Sequence, residues 1–211
     1  MASRAYNLPN ILTYARIVAV PIIVLCFFVE GKLQSSDFAR WTALWLFILA
    51  SITDFFDGYL ARIWNQTSNI GRMLDPIADK LLVASVLLLM AADGTIAGWT
   101  IWAAIIILCR EILVSGLREY LAALTVSVPV TRIAKWKTTI QMVAIALLLA
   151  GSAGDAYVDH LIHGVSAAGD AHSVLPIITY AGIFMLWIAA ALTMYTGYDY
   201  FKAGVKHIVD E

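Results

Sequence analysis

Two pairs of aspartates are spaced so that each pair lies on one face of a helix. Asp54 and Asp57 are three residues apart, and Asp75 and Asp79 are four apart, which are the separations of neighbours on a helical surface. Carboxylate oxygens are the preferred ligands of hard divalent cations such as Mg²⁺ or Mn²⁺. Two such ions can clamp the attacking and leaving oxygens of a phosphoryl-type transfer. These aspartates therefore predict metal-assisted chemistry at a phosphate ester.

Small residues and an arginine follow the first aspartate pair. Gly58 and Ala61 leave the backbone open to a flat base or a diphosphate. Arg62 comes next and pairs with phosphate oxygens without losing its charge. Gly71 then precedes Asp75 by four residues. This stretch is suited to hold a phosphorylated ligand beside the carboxylates.

The composition places these residues in a membrane protein. Of the 211 residues, 61% are hydrophobic and 14% are charged, whereas a soluble domain carries about 25% charged residues. The net charge of −1 argues against a nucleic-acid partner, and the apolar content excludes disorder. Cys26 and Cys109 lie far apart in apolar stretches and do not suggest a disulfide framework.

Six apolar segments are each near the roughly 20 residues that cross a bilayer as a helix. They fall at 10–29, 39–60, 77–92, 96–116, 133–152 and 174–197. The connections between them are too short for a second domain. The sequence therefore predicts an all-α polytopic membrane protein, a single domain over 1–211 with six transmembrane helices and a short N-terminal interfacial helix ending near Pro9-Asn10.

The lysines and arginines predict how the chain is oriented. Of the 14 basic residues, all but Lys32 and Arg40 fall at the termini or around the second and fourth connections. Basic residues collect on the cytoplasmic side of a membrane. We therefore expect both termini and the aspartate-bearing connection in the cytoplasm, with external loops at 93–95 and 152–173.

Intramembrane carboxylates also mark ion pathways, so a cation or proton transporter is the distant alternative. Transporter sites lie near the bilayer midplane and often between repeated halves. Here the aspartates cluster at one predicted membrane face and the sequence has no internal repeat. An enzyme acting at the membrane surface is the favoured interpretation.

The complete pattern resembles the signature of the CDP-alcohol phosphatidyltransferase family. The matching positions are Asp54, Asp57, Gly58, Ala61, Arg62, Gly71, Asp75 and Asp79. The segment from Pro9 to Arg16 and the six-span layout also resemble that family. Most of the chain is covered, with 152–173 the main part left out.

The resemblance implies that an acceptor hydroxyl attacks the β-phosphorus of a CDP-linked lipid and that CMP leaves. It implies Asp54, Asp57 and Asp75 as metal ligands, with Asp79 as the general base and a further ligand. It implies two Mg²⁺ or Mn²⁺ ions, a homodimer and a location in the bacterial inner membrane. The residues expected to bind the CDP-lipid are Asn10, Thr13, Gly58, Ala61, Arg62 and Gly71.

Four basic residues around the fourth connection bear on the acceptor: Arg110, Arg118, Lys135 and Lys137. Their segments are similar to those of the branch of this family that makes phosphatidylglycerophosphate in bacteria. Guanidinium groups bind phosphate in a fork, so we expect these residues to bind the phosphate of an anionic acceptor. A topology-setting role beside anionic headgroups is the alternative.

The predicted reaction is phosphatidyl transfer from CDP-diacylglycerol to sn-glycerol 3-phosphate, giving phosphatidylglycerophosphate and CMP for phosphatidylglycerol and cardiolipin synthesis. Membrane lipids are the other expected partners, and no nucleic acid is expected. Phosphatidylinositol phosphate synthesis stays open because inositol phosphate would also demand cations. Phosphatidylserine synthesis fits less well, since serine needs fewer of them.

Overall fold

The computed structural model describes residues 8–30, 36–63, 69–124, 132–163 and 176–209. All regular structure within these ranges is helical, which confirms the all-α prediction. The six helices are α1 (Leu8–Glu30), α2 (Ser36–Ile63), α3 (Asn69–Ala92), α4 (Thr100–Ala123), α5 (Arg132–His163) and α6 (Ile177–Val209). Residues 1–7, where the interfacial helix was expected, lie outside the described residues.

Four of these helices are long and apolar enough to cross a membrane, and they confirm the polytopic prediction. The spans are Asn10–Phe28, Thr100–Ala122, Trp136–Ile162 and Ile177–Lys202. Helices α2 and α3 have 28 and 24 residues, so at 1.5 Å per residue each exceeds the ~30 Å hydrocarbon core. Their uncharged stretches are shorter, 41–53 and 81–92, because the aspartate motif occupies one end of each helix.

The expectation of an external loop at 152–173 is wrong over its first part. Helix α5 continues through His163, so residues 152–163 are helical, and 164–173 lie outside the described residues. Gly151 lies within α5 at φ 43° and ψ −129°, which kinks the helix. The kink falls near residue 152, where the sequence predicted that the fifth span ends. The other expected turn is confirmed, since residues 93–99 are non-helical and include Gly94 at φ 83° and Gly98 at φ 57°.

The chain forms two compact units. Unit 1 comprises Met1–Thr95 and Ala146–Thr179, and unit 2 comprises Ile96–Ile145 and Tyr180–Glu211. Helix α5 therefore contributes its first part to unit 2 and its second part to unit 1. The expectation of a single domain stays a prediction.

In unit 1, α1 packs against both α2 and α3. The buried side chains are apolar, and the alanines among them allow the helices to approach closely. They include Ala19, Ile23, Ala43, Phe47, Leu82, Val86 and Met90. Helix α1 is thus the common neighbour of the two helices that carry the aspartate motif.

Arg40, one of the two basic residues expected on the external side, connects α2 with two other segments of unit 1. Its buried guanidinium pairs with the Asp93 carboxylate, which also accepts a 2.6 Å hydrogen bond from Thr95 Oγ1. The same guanidinium lies 5.8 Å from the centre of the Phe27 ring. A Cβ at Gly151 would lie 2.6 Å from Arg40 Nη1, so glycine serves there both the positive φ and the close approach.

Asp155 on α5 caps the start of α6 within unit 1. Its Oδ1 accepts hydrogen bonds from the backbone N–H groups of Ile178 at 2.6 Å and Thr179 at 3.3 Å. Its Oδ2 accepts the Thr179 hydroxyl at 2.6 Å. These bonds satisfy donors that a helix N-terminus leaves unpaired.

Replacing Asp155 by alanine is expected to destabilise the protein by about 1–2 kcal/mol, the usual cost of losing a helix cap. This corresponds to a fall of about 2 to 8 °C in Tm for a chain of this size. Thermal unfolding of the purified protein in detergent measures the change. Ser152→Ala, at an exposed position on the same helix, is the control, and an equal Tm for both variants would contradict the capping role.

Unit 2 is built from α4, the first part of α5 and most of α6. Small and aliphatic residues fill its core: Ala103, Ile107, Leu121, Ala144, Ile145, Leu186, Ala189 and Ala190. The same unit buries several polar groups of these helices, among them Lys137, Gln141, Thr193 and Thr196. Polar residues inside a membrane domain usually line a functional pathway or bind one another.

Candidate active site

Helix α1 turns one polar face into unit 1. Asn10, Thr13 and Arg16 follow one another at three-residue intervals, so they lie along the same side of the helix. Their exposed fractions are 3%, 1% and 1%. A polar stripe buried this deeply requires partners, and two of these residues find them in the aspartate motif.

Thr13 and Arg16 each bind one aspartate, and we call these two residues the α1 clamp. Thr13 Oγ1 donates a 2.6 Å hydrogen bond to Asp75 Oδ1, and Arg16 Nη1 forms an ion pair with Asp54 Oδ1. Asp54 belongs to α2 and Asp75 to α3, so α1 holds one carboxylate from each half of the motif. Both contacts use Oδ1, and the Oδ2 atoms take no part in them.

The charges around the α1 clamp explain why a buried arginine lies beside the aspartates. The carboxylates of Asp54 and Asp75 are near enough for their charges to interact, and close anions away from bulk water repel strongly. The Arg16 side chain is fully buried, whereas that of Asp54 is 38% exposed. Among the described residues of the clamp and its partners, Arg16 thus supplies one positive charge against two carboxylates, a balance that suits a bound cation.

The donor chemistry fits a hard divalent ion, because the motif offers carboxylate oxygens alone. Within the described part of the chain, no three His, Cys, Asp or Glu side chains form a metal-sized group. Asp79 lies one turn beyond Asp75 on α3. The side chain of Asp57 lies outside the described residues, so the convergence of all four aspartates stays a prediction.

The other residues expected to bind the CDP-lipid fall into two groups. Asn10 and Gly71 are buried in unit 1. Gly58, Ala61 and Arg62 lie on α2, which is helical through Ile63 as the aspartate spacing predicted, but their side chains lie outside the described residues. Thr13 binds Asp75 as part of the α1 clamp. Its contact with a nucleotide stays a prediction.

Two of the four residues expected to bind the acceptor come together in unit 2. Lys137 Nζ on α5 forms an ion pair with Glu111 Oε1 on α4, and Arg110 Nη1 lies 3.4 Å from the same oxygen. Arg110 Nη2 donates a 3.1 Å hydrogen bond to Thr196 Oγ1 on α6. We call Arg110, Glu111, Lys137 and Thr196 the cation cluster, which joins three helices and has two positive charges against one negative charge.

Arg118 and Lys135, the other two residues expected to bind the acceptor, do not belong to the cation cluster. Arg118 is exposed, and its guanidinium lies 5.7 Å from the centre of the Tyr200 ring. Its charge still acts on that of Arg110. The side chain of Lys135 lies outside the described residues. Of the described basic residues of this set, Lys137 is buried, Arg110 is partly buried and Arg118 is exposed.

Gly197 makes room for the Arg110 side chain. A Cβ at this position of α6 would lie 2.9 Å from Arg110 Cγ and 3.3 Å from Nε. Contacts this short are avoided in proteins, so an alanine would push the arginine away from its position beside Thr196. Glycine here is required by close approach, since its φ is ordinary.

Comparison with known proteins fits this arrangement. The sequence model of the CDP-alcohol phosphatidyltransferase family matches residues 6–195, which is most of the chain. The chain belongs to that family. This CDP-alcohol phosphatidyltransferase is therefore a membrane-embedded transferase, and family membership favours the enzyme over the transporter alternative.

Bacterial relatives resemble it over nearly their whole length. A Cereibacter sphaeroides protein is 42% identical over 98% of this chain and 99% of its own. One from Rickettsia bellii is 46% identical over 95% and 97%, and one from Escherichia coli K12 is 36% identical over 98% and 99%. Each of the three is named CDP-diacylglycerol–glycerol-3-phosphate 3-phosphatidyltransferase.

Sequence reasoning about this phosphatidyltransferase missed several residues that the structure brings to the two polar clusters. Arg16 belongs to the family-like segment from Pro9 to Arg16, but the sequence did not predict its ion pair with Asp54. Glu111 pairs with its neighbour Arg110 and also with Lys137, and the second contact is not evident from the sequence. Thr196 and Gly197 gave no sequence signal, because only the packing of α6 against Arg110 reveals their roles.

Proposed function

We propose that this enzyme transfers a phosphatidyl group from CDP-diacylglycerol to sn-glycerol 3-phosphate, giving phosphatidylglycerophosphate and CMP. The observation that carries the proposal is the cation cluster of unit 2. Two cations share one carboxylate there, which leaves a net positive charge in a mostly apolar unit. An acceptor that carries its own phosphate can balance that charge, and the names of the full-length relatives agree.

The chemistry proposed for the chain's own residues is a direct displacement. The Asp79 carboxylate takes the proton of an acceptor hydroxyl, whose oxygen forms a bond to the β-phosphorus of the CDP-lipid. The bond from that phosphorus to the bridging oxygen breaks, and CMP leaves with that oxygen. Arg110 and Lys137 hold the acceptor phosphate, while the α1 clamp fixes the orientation of Asp54 and Asp75.

Two divalent ions, Mg²⁺ or Mn²⁺, complete the proposal, with Asp54, Asp57, Asp75 and Asp79 as the residues that would hold them. When bound, such ions acidify the attacking hydroxyl and offset the charge of the diphosphate. The support is the carboxylate-only donor set and the unbalanced negative charge beside Arg16.

The proposed location is a bacterial inner membrane, with both termini and the active site facing the cytoplasm. Its support is the four apolar spans and the concentration of basic residues at the termini and the second and fourth connections. The homodimer implied by the family resemblance stays a prediction.

An acceptor panel tests the reaction. Purified enzyme is given CDP-diacylglycerol with glycerol 3-phosphate, inositol 1-phosphate or serine, and CMP release is measured. We expect CMP release with glycerol 3-phosphate to be at least about 100-fold faster than with serine, because charged hydrogen bonds to a phosphate contribute about 1.5–3 kcal/mol each. Chelation should abolish CMP release, and added Mg²⁺ or Mn²⁺ should restore it.

Turnover with inositol 1-phosphate alone would move the enzyme to phosphatidylinositol phosphate synthesis. Turnover with serine alone would contradict the phosphate-binding role of the cation cluster. Full activity after exhaustive chelation would contradict the metal requirement while leaving the choice of acceptor intact.

A further inference from the structure

Within the described part of unit 2, two buried neutral side chains each have a polar atom without a hydrogen bond. Gln141 on α5 is 3% exposed and Thr193 on α6 is fully buried. Within the part of the chain that the structure describes, Gln141 Oε1 and Thr193 Oγ1 have no hydrogen-bond partner. Leaving such a group unsatisfied costs about 1–3 kcal/mol, so each of these atoms is poised to bind a polar ligand.

Both residues lie one helical turn from the cation cluster. Gln141 follows Lys137 by four residues on α5, and Thr193 precedes Thr196 by three on α6, so each shares a helix face with a cluster residue. Thr196 Oγ1 also lies 3.3 Å from the carbonyl oxygen of Thr193. Each orphan atom therefore belongs to a residue one helical turn from a member of the cation cluster.

The two residues are displaced from the cluster in the same direction. Consecutive spans cross a membrane in opposite directions. Gln141 follows Lys137 on α5 and Thr193 precedes Thr196 on α6, so both residues lie farther from the proposed cytoplasmic side than the cluster does. One turn is about 5.4 Å, and glycerol 3-phosphate extends over a similar length from its phosphorus atom to its hydroxyl groups. A phosphate bound by Lys137 would thus place the hydroxyl-bearing carbons of the same molecule beside Gln141 and Thr193.

We propose that Gln141 and Thr193 select the acceptor by binding its non-reacting hydroxyl group. The Gln141 carbonyl oxygen accepts the hydrogen bond of that hydroxyl, and Thr193 Oγ1 bonds to its oxygen. This inference rests on the proposed function and adds a substrate class to it, a polyol phosphate in which one hydroxyl attacks and another is recognised. An acceptor without the second hydroxyl leaves both buried groups unpaired and is rejected.

The test compares glycerol 3-phosphate with 3-hydroxypropyl phosphate, which keeps the phosphate and a terminal hydroxyl but lacks the middle one. For the wild-type enzyme we expect kcat/KM to favour glycerol 3-phosphate by about 100-fold or more, as for other sites that bind a substrate hydroxyl. In Gln141→Met and Thr193→Val the preference should fall by about tenfold or more. In these variants kcat/KM for glycerol 3-phosphate should fall, while kcat/KM for 3-hydroxypropyl phosphate should stay nearly unchanged.

Thr42→Val is the matched control, because the Thr42 hydroxyl donates a 2.7 Å hydrogen bond to the Phe38 carbonyl oxygen of its own helix, α2. It should keep the wild-type preference. An equal loss for both acceptors in the Gln141 and Thr193 variants would reduce these residues to structural ones and overturn the proposal. Equal use of both acceptors by the wild-type enzyme would overturn it without any variant, whereas absence of turnover with glycerol 3-phosphate would instead reject the proposed function.

Discussion

Replacing Asp79 by asparagine is expected to lower kcat for phosphatidyl transfer by about 10² to 10⁴, the usual range for losing a general base. The amide has nearly the shape of the carboxylate, but it cannot take the proton of the acceptor hydroxyl. Binding of CDP-diacylglycerol should stay within a few-fold of wild type. Initial rates of CMP release at saturating substrates give kcat, and equilibrium binding of the labelled CDP-lipid gives its affinity.

The pH dependence of kcat gives a second measure of the role of Asp79. In the wild-type enzyme kcat should rise with pH on its acid side as the base ionises, and the variant should lose the part of that rise which Asp79 contributes. Asp199→Asn, at an exposed position on α6, is the control and should retain the wild-type profile. A variant at Asp79 with more than about a tenth of wild-type kcat would contradict the assignment.

The helices that carry the aspartate motif could be predicted from the sequence because their signals are local. The spacing of Asp54 and Asp57 predicts a helical face, and α2 is helical through Ile63. The order of the elements followed from apolar segment length, which depends on neighbours in the chain. The two ends of the motif could therefore be placed on adjacent helices before any packing was known.

The contacts that shape the motif could not be predicted, because they join residues distant in sequence. Nothing in the spacing of Thr13 and Arg16 reveals that they bind Asp75 and Asp54. A hydroxyl and a guanidinium on an apolar helix have many possible partners, and the packing of α1 against both α2 and α3 chooses among them. The fold thus decides which polar residues of α1 contact Asp54 and Asp75.

The extension of α5 was hidden for a related reason. Its second half contains Gly151, Gly154 and Asp155, residue types that favour turns, and local propensity there predicts a loop. Packing reverses that preference, because Gly151 accommodates Arg40 and Asp155 caps α6. Composition therefore failed where long-range contacts give turn-forming residues another purpose.

Replacing Lys137 by glutamine is expected to raise KM for glycerol 3-phosphate by about 10- to 100-fold, which corresponds to one lost charged hydrogen bond. In this variant Glu111 and Arg110 are left with one opposite charge each. The net charge of the cation cluster falls from +1 to zero. Separate titrations of glycerol 3-phosphate and CDP-diacylglycerol should show the rise for the acceptor alone.

Two other basic residues calibrate this effect. Lys202→Gln, at an exposed position on α6, removes the same charge away from the cluster and should leave the acceptor KM within about twofold of wild type, as for other screened surface charges. Arg118→Ala should lie between the two variants, because Arg118 is exposed beside Tyr200 but its charge still reaches Arg110. Equal KM values for all three variants would contradict a buried phosphate site at Lys137.

The double variant Lys137→Gln with Glu111→Gln decides whether net charge or geometry governs the acceptor. It returns the cluster to a charge of +1, now on Arg110 alone, which keeps its 3.1 Å bond to Thr196. If charge governs binding, the double variant should recover part of the affinity that Lys137→Gln loses, a positive coupling between two contacting residues. If the double variant binds the acceptor more weakly than Lys137→Gln alone, Glu111 acts by positioning Arg110, and the charge-balance account of the cluster is wrong.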